Sequence, residues 1–171
     1  MRIALLGNSG SGKSTLAHQL AVGYDLAALD LDTCAWEPGQ VAVPRDPAAA
    51  LADVLAFCGR HERWVIESCY ATLIDAALDH GPLLVFLEPG QATCLAHARQ
   101  RPWEPHKYAS KEDQDEKLAF LLTWIEAYYT RTDELSLNAH QALFDAYAGP
   151  KRQLTAPVPP ADVEALVRLA G

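Results

Sequence analysis

The stretch Gly7-Asn8-Ser9-Gly10-Ser11-Gly12-Lys13-Ser14-Thr15 decides how the rest of the chain is read. Gly7, Gly12, Lys13 and Ser14 match the spacing G-x-x-x-x-G-K-[ST]. The apolar run Ile3 to Leu6 precedes it and reads as a buried central strand. Leu16, Ala17, Leu20 and Ala21 follow at helical spacing, with Gly23 expected as the C-terminal stop. Glycines in such a loop turn at positive φ and bring backbone N–H groups against phosphate oxygens. The helix begins at the loop, so its free amides and its dipole face the same anion. In this pattern Lys13 reaches the outer phosphates and the Ser14 hydroxyl ligates Mg²⁺. Gly7 to Thr15 is therefore the expected binding stretch for ATP and Mg²⁺.

Working outward, short apolar runs alternate with helical patterns. Leu26 to Leu31, Trp64 to Ile66 and Leu83 to Leu87 read as strands, and Gln153 to Ala156 as a short last one. Asp46-Pro47 is a helix start, an acidic N-cap followed by proline in the first turn. Ala71 to His80 and Gly90 to Gln100 are helical in pattern. Ser110 opens a further helix with Asp113 three residues on, and its inner face continues through Leu118, Leu121, Leu122, Ile125 and Tyr129. Asn138 to Tyr147 and Pro160 to Ala170 complete the helices. This alternation implies an α/β fold of three layers, a mainly parallel sheet of about five strands with helices on both faces. The expected organisation is one domain over residues 1–171, with residues 101–112 as a short lid.

A chain of 171 residues with half its residues hydrophobic and 21% charged is expected to bury a real core. Its net charge of −8 argues against binding duplex nucleic acid, which needs a basic face. The four cysteines, at 34, 58, 69 and 94, form no C-x-x-C pair, so neither a zinc site nor a redox motif is signalled. Scattered single cysteines fit a reducing compartment. No run is long enough for a signal-peptide core or a membrane span. The expectation is a cytoplasmic protein with no membrane partner.

Ligands of such folds sit beyond the carboxyl ends of the strands, so acids there carry weight. Asp30 and Asp32 flank Leu31 at the end of the second strand, and strand alternation would put both on one side. One carboxylate would then hold Mg²⁺ while the other faces a phosphate acceptor as base or orienter. The alternative is an ordinary solvated strand end. Glu67 closes the third strand, where a metal- or water-holding acid would lie, or where an acid would cap the next helix. Glu88 precedes Pro89 and reads as a cap or surface acid. Trp36 and Tyr70 fall in loops on the same side, as walls of an acceptor pocket or as packing.

Arg99, Arg101, His106 and Lys107 make the densest positive cluster in this acidic chain, broken by Pro102 and Pro105. Phosphoryl transfer needs cationic stabilisation of the equatorial oxygens, and a closing loop also excludes water. The alternative is a basic surface loop paired with the acids at 112–116. The remaining histidines show no ligand spacing and read as packing or surface residues, with His140 bordering the core.

The residues assembled so far resemble the small P-loop kinases of the adenylate, shikimate and gluconate kinase type. Among bacterial proteins the chain is most similar to those described as shikimate kinase-like, AAA-family ATPase or DNA topology modulation proteins. The resemblance rests on Gly7 to Thr15, Leu29-Asp30-Leu31-Asp32 with Trp36-Glu37, Arg45, Trp64 to Tyr70, Leu83 to Leu87 and Arg99 to Tyr108. It covers most of residues 1–130. It implies Asp30 near Mg²⁺, Asp32 near the acceptor hydroxyl, Arg45 on the acceptor, and Arg99 and Arg101 as lid arginines. Shikimate kinases carry a glycine triplet where this chain has Glu67-Ser68-Cys69-Tyr70, so shikimate itself is not carried over.

The expected function is an ATP-Mg²⁺-dependent phosphotransferase acting on a small-molecule acceptor. Lys13, Asp32, Arg99 and Arg101 are the expected catalytic residues. Asp32, Trp36, Arg45, Glu67, Tyr70 and Lys107 are expected around the acceptor, and Ser14 with Asp30 at the metal. The competing reading is a nucleotide-dependent regulatory ATPase or a DNA-topology-related protein. The chain has no Asn-Lys-x-Asp for guanine.

Overall fold

A computed structural model describes residues 1–37, 43–103 and 109–171, and of Pro160 and Ala161 the backbone. Among the described residues five strands form one all-parallel sheet in the order β2-β3-β1-β4-β5. They are β1 (Arg2–Gly7), β2 (Ala27–Asp30), β3 (Trp64–Ser68), β4 (Leu83–Leu87) and β5 (Lys151–Leu154). The helices are α1 (Lys13–Tyr24), α2 (Asp32–Ala35), α3 (Pro47–Arg60), α4 (Ala71–Leu78), α5 (Gln91–Arg99), α6 (Lys111–Glu116), α7 (Leu118–Ala127), α8 (Leu137–Ala146) and α9 (Pro160–Ala170). The chain leaves β1 toward β2 and β3 on one side, then crosses to β4 and β5 on the other. That reversal opens a crevice at the carboxyl ends of β1 and β3, where ligands of open parallel sheets bind.

Strand alternation builds two cores from one sheet. Ala4, Leu6, Trp64, Ile66, Leu84 and Phe86 face α3, α4 and α8. Ile3, Leu5, Val65, Val85 and Leu87 face α1 and α9. β1, β3 and β4 are buried along both faces, which is why they read as unbroken apolar runs. A third, smaller cluster of Cys94, Ala98 and Ile125 joins α5 to α7.

Most boundaries agree with local chemistry. The Asp46 carboxylate accepts the Ala49 N–H at 2.9 Å ahead of Pro47, and the Ser110 hydroxyl accepts the Asp113 N–H at 3.1 Å. Three expectations shift. Gly23 does not stop α1; the left-handed cap falls on Asp25, at φ 53°, a residue type that tolerates this conformation. The long helix expected from Ser110 divides at Lys117 into α6 and α7. The last strand lies two residues earlier, at Lys151–Leu154, in register with Leu84–Leu87.

His140 is fully buried rather than at the core's border. Its Nδ1 meets the Tyr128 hydroxyl and its Nε2 the Cys69 carbonyl, both at 2.9 Å. It thereby ties α8, α7 and the end of β3 together. Burial, with Lys13 also opposing a second positive charge, pushes its pKa down to about 4, although the Cys69 carbonyl favours the charged form. The unfolded chain takes up this proton from about pH 6.5 downward, while the folded chain resists it. The stabilisation is therefore complete above pH 6.5 and is lost as pH falls toward 4. Urea unfolding of wild type against His140→Asn should show a pH-dependent difference on the order of 3 kcal/mol across that window. A difference that does not change with pH would contradict a buried neutral imidazole.

Candidate phosphate-loop site

Four contacts hold the loop between β1 and α1. The buried Asn8 side chain donates to the Ile125 carbonyl of α7 at 3.0 Å. The Ser9 N–H donates back to Asn8 Oδ1 at 2.8 Å. Gly10, at φ 76°, lies so close to α5 that a Cβ there would stand 2.4 Å from the Cys94 carbonyl oxygen. The His97 ring, Nδ1, meets the Gly10 carbonyl at 2.8 Å. Gly12 precedes α1 at φ 98°, and its Cβ position meets nothing within 4 Å. The loop is packed behind and open in front.

The open side faces a cleft of about 380 Å³. Ser9, Gly10, Gly12, Lys13, Ser14 and Thr15 form its floor. Asp32, Glu67 and Cys69 form one wall, and His97, Gln100, Arg101 and Pro102 the other. The Lys13 side chain is buried, with its ammonium on the Asn8 carbonyl at 3.0 Å. The first N–H groups of α1 have no intrahelical partner and point out of the helix start. The buried Ser11 hydroxyl has no hydrogen-bond partner among the described residues. A cation, outward amides and an open glycine fit a polyphosphate.

Glu67 lies opposite Leu5 on β1 and Asp30 on β2. It therefore shares the sheet face of α1, and its carboxylate accepts the Ser14 hydroxyl at 2.5 Å. A serine hydroxyl beside a carboxylate is an oxygen donor set of the kind Mg²⁺ takes. Asp30 and Asp32 do not share a face by strand alternation. Leu31 is helical, at φ −71° and ψ −11°, and the chain turns into α2 immediately after Asp30. Asp30 Oδ1 accepts the Asp32 N–H at 3.0 Å and so shapes this turn. The turn puts Asp32 on the cleft wall.

The other expected residues divide. Trp36 and Tyr70 lie close together, and the Trp36 side chain works against the rise in the Tyr70 phenol's pKa. Burial raises the Tyr70 phenol's pKa, as do Cys69, Asp32 and Glu134. Burial also pushes the Cys69 thiol up to about 12, with Asp32 and Glu67 adding to the effect and Lys13 opposing it. Arg45 pairs with Asp53 of α3, away from the phosphate cleft. Arg101 lines the cleft, whereas Arg99 lines a small hollow against α6. Gln114 of α6 anchors the chain just after Arg101, donating to the Pro102 carbonyl at 3.1 Å. Lys107 and His106 lie outside the described residues. Glu88 is neither cap nor free surface acid: it accepts the Tyr129 hydroxyl at 2.8 Å.

Two contributors carried no signal in the chain. His97 sits at no recognisable ligand spacing, and only the packing of α5 brings it to Gly10. Gln100 is an exposed residue at a helix end. Among the described residues no three His, Cys, Asp or Glu side chains form a metal-holding group. No described helix is long and apolar enough to cross a membrane.

No family model matches the chain, and no curated protein matches it. Solved structures do. A gluconokinase from Sinorhizobium meliloti is 19% identical, with a TM-score of 0.56 over 99% of this chain and 93% of that one. A shikimate kinase from Acinetobacter baumannii, in complex with shikimate, is 17% identical, with a TM-score of 0.56 over 98% and 91%. A sugar kinase from a Janibacter species is 16% identical, with a TM-score of 0.54 over 99% and 98%. The chain has the fold of the small P-loop kinases, over its whole length.

The seat of Gly10 on α5 is open to test. Gly10→Ala adds a carbon at 2.4 Å from a backbone oxygen and at an unfavourable φ. It should destabilise the protein by roughly 1–3 kcal/mol, measured by the shift of the urea midpoint. A midpoint equal to wild type would mean that α5 does not press on the loop.

Proposed function

We propose that the protein is an ATP-Mg²⁺-dependent phosphotransferase that acts on a small-molecule acceptor. The observation that carries this reading is a phosphate loop and an acid wall facing one cleft, with Ser14 and Glu67 in contact. The whole-length likeness in fold to sugar, gluconate and shikimate kinases supports it.

In this reading the residues from Gly7 to Thr15 hold the nucleotide's phosphates by backbone N–H groups. Lys13 exchanges the Asn8 carbonyl for a phosphate oxygen. Ser14 is the metal-side hydroxyl, with Glu67 its neighbouring carboxylate, and Asp30 acts at one remove by shaping the turn that presents Asp32. When bound, the nucleotide and its divalent cation supply the phosphoryl group and part of the charge neutralisation. Asp32 orients the acceptor hydroxyl and takes its proton. Arg101 stabilises charge on the cleft's far wall at the start of the closing segment 101–112, which limits hydrolysis by water, and Arg99 supports it from the end of α5. His97 and Asn8 are positioning residues that hold the loop's shape. The acceptor lies between Asp32, Trp36, Glu67 and Tyr70. A cytoplasmic setting goes with this reading.

Two measurements test it. A non-hydrolysable ATP analogue with Mg²⁺ should raise the melting temperature, as any ligand specific to the native state does. Lys13→Ala should abolish that rise, and Ser14→Ala should reduce its Mg²⁺ dependence. An unaltered rise in Lys13→Ala would place the nucleotide elsewhere. Asp32→Asn should lower kcat by about a hundredfold or more while nucleotide affinity is kept. An undiminished kcat would remove Asp32 from the chemistry.

A further inference from the structure

The wall that α5 contributes to the cleft holds hydrogen-bonding capacity that the loop does not use. His97 stands in the last turn of α5 and Gln100 at its cap. A spacing of three residues puts both on one side of the helix. Both are exposed, and both line the cleft. The imidazole is committed at one nitrogen only. Nδ1 stands 2.8 Å from the Gly10 carbonyl oxygen. A carbonyl can only accept, so Nδ1 carries the proton, and in the neutral ring Nε2 is an acceptor. The Gln100 side chain offers N–H donors and an acceptor oxygen. Among the described residues neither Nε2 nor the Gln100 amide has a hydrogen-bond partner.

These two groups differ in kind from the rest of the cleft. The loop N–H groups, Lys13 and Arg101 are donors or cations, which suit phosphate oxygens. An unprotonated ring nitrogen turns a lone pair toward what it meets, and so repels a phosphate oxygen. A neutral amide brings such an oxygen no charge. An acceptor beside an amide matches instead a pair of groups that each donate and accept, as vicinal hydroxyls do. A nucleotide with its phosphates on the loop presents its ribose next and its base one sugar further out. The His97 ring touches the loop floor at Gly10, so what it meets is the part adjoining the phosphates. That part is the ribose, and the ribose carries a vicinal diol.

We infer that His97 Nε2 and the Gln100 amide bind the 2′- and 3′-hydroxyls of the nucleotide's ribose, one hydroxyl each. The cleft is thereby selective for ribonucleotides over their deoxy counterparts. The inference rests on the nucleotide-binding part of the reading above and deepens it. His97 then serves twice, with Nδ1 on the loop and Nε2 on the ligand. Both side chains are exposed and both contacts are neutral, so each contributes between about twofold and tenfold in affinity.

The test is calorimetric titration of the full chain, in Mg²⁺, with ADP, 2′-deoxy-ADP, 3′-deoxy-ADP and inorganic tripolyphosphate. Wild type should bind each deoxy analogue about fivefold more weakly than ADP. His97→Asn keeps an N–H donor for the Gly10 carbonyl and removes the second nitrogen. Gln100→Ala removes the amide. In each variant the preference for ADP over one of the deoxy analogues should shrink to less than about twofold, while tripolyphosphate, which has no ribose, binds as it does to wild type. If His97→Asn also weakens tripolyphosphate, the loop has moved, and Gln100→Ala alone decides. Equal binding of ADP and both deoxy analogues by wild type would overturn this inference and leave the phosphotransferase reading standing. A preference that persists in full in both variants would overturn it equally. If neither ADP nor tripolyphosphate binds, the nucleotide reading falls and this inference falls with it.

Discussion

A phosphate loop must keep its N–H groups unspent, facing an open cleft, although nothing in its own turn holds them there. Everything around Gly7 to Thr15 serves that constraint. Asn8 is tied to α7 through the Ile125 carbonyl. Gly10 is pressed against the Cys94 carbonyl and meets His97 of α5. Ser14 is fastened to Glu67 of the neighbouring strand. Each contact fixes the loop from behind and uses up none of the amides at the start of α1. Preorganised donors of this kind bind an anion without reorganising at the moment of binding.

The sheet order supplies the second half of the site. β3 lies next to β1, so the end of β3 delivers Glu67 to the first turn of α1, and β2 brings Asp32 in behind it. The same reversal sends β4 and α5 to the other side, where His97, Gln100 and Arg101 make the opposing wall. The cleft is thus asymmetric in charge: acids on the β2–β3 side, a cation and a histidine on the α5 side. His140, buried and neutral, underlies this arrangement by joining Cys69 to Tyr128.

Local chemistry was legible wherever a residue acts on its immediate neighbours. The glycine spacing, the Asp46 and Ser110 caps and the apolar runs of β1, β3 and β4 all depend on contacts within a few residues. The end of β2 was less legible. Leu31 is apolar and fully buried, so it reads as one more strand residue, yet it is helical and turns Asp32 away from Asp30. Arg45 carries no local mark of its pairing, because Asp53 is two turns into the next helix. His97 and Glu134 were illegible for the same reason, since their partners are 87 and 62 residues away.

By itself the sequence determined a parallel α/β sheet with a phosphate loop after its first strand, because strand and helix periods and the turn chemistry of glycine are properties of short segments. Only the tertiary structure decided the strand order, which acid meets Ser14, and which acid pairs with Arg45. Those depend on contacts between separate segments of the chain, selected by how two apolar faces of one sheet are covered rather than by any residue's own preference.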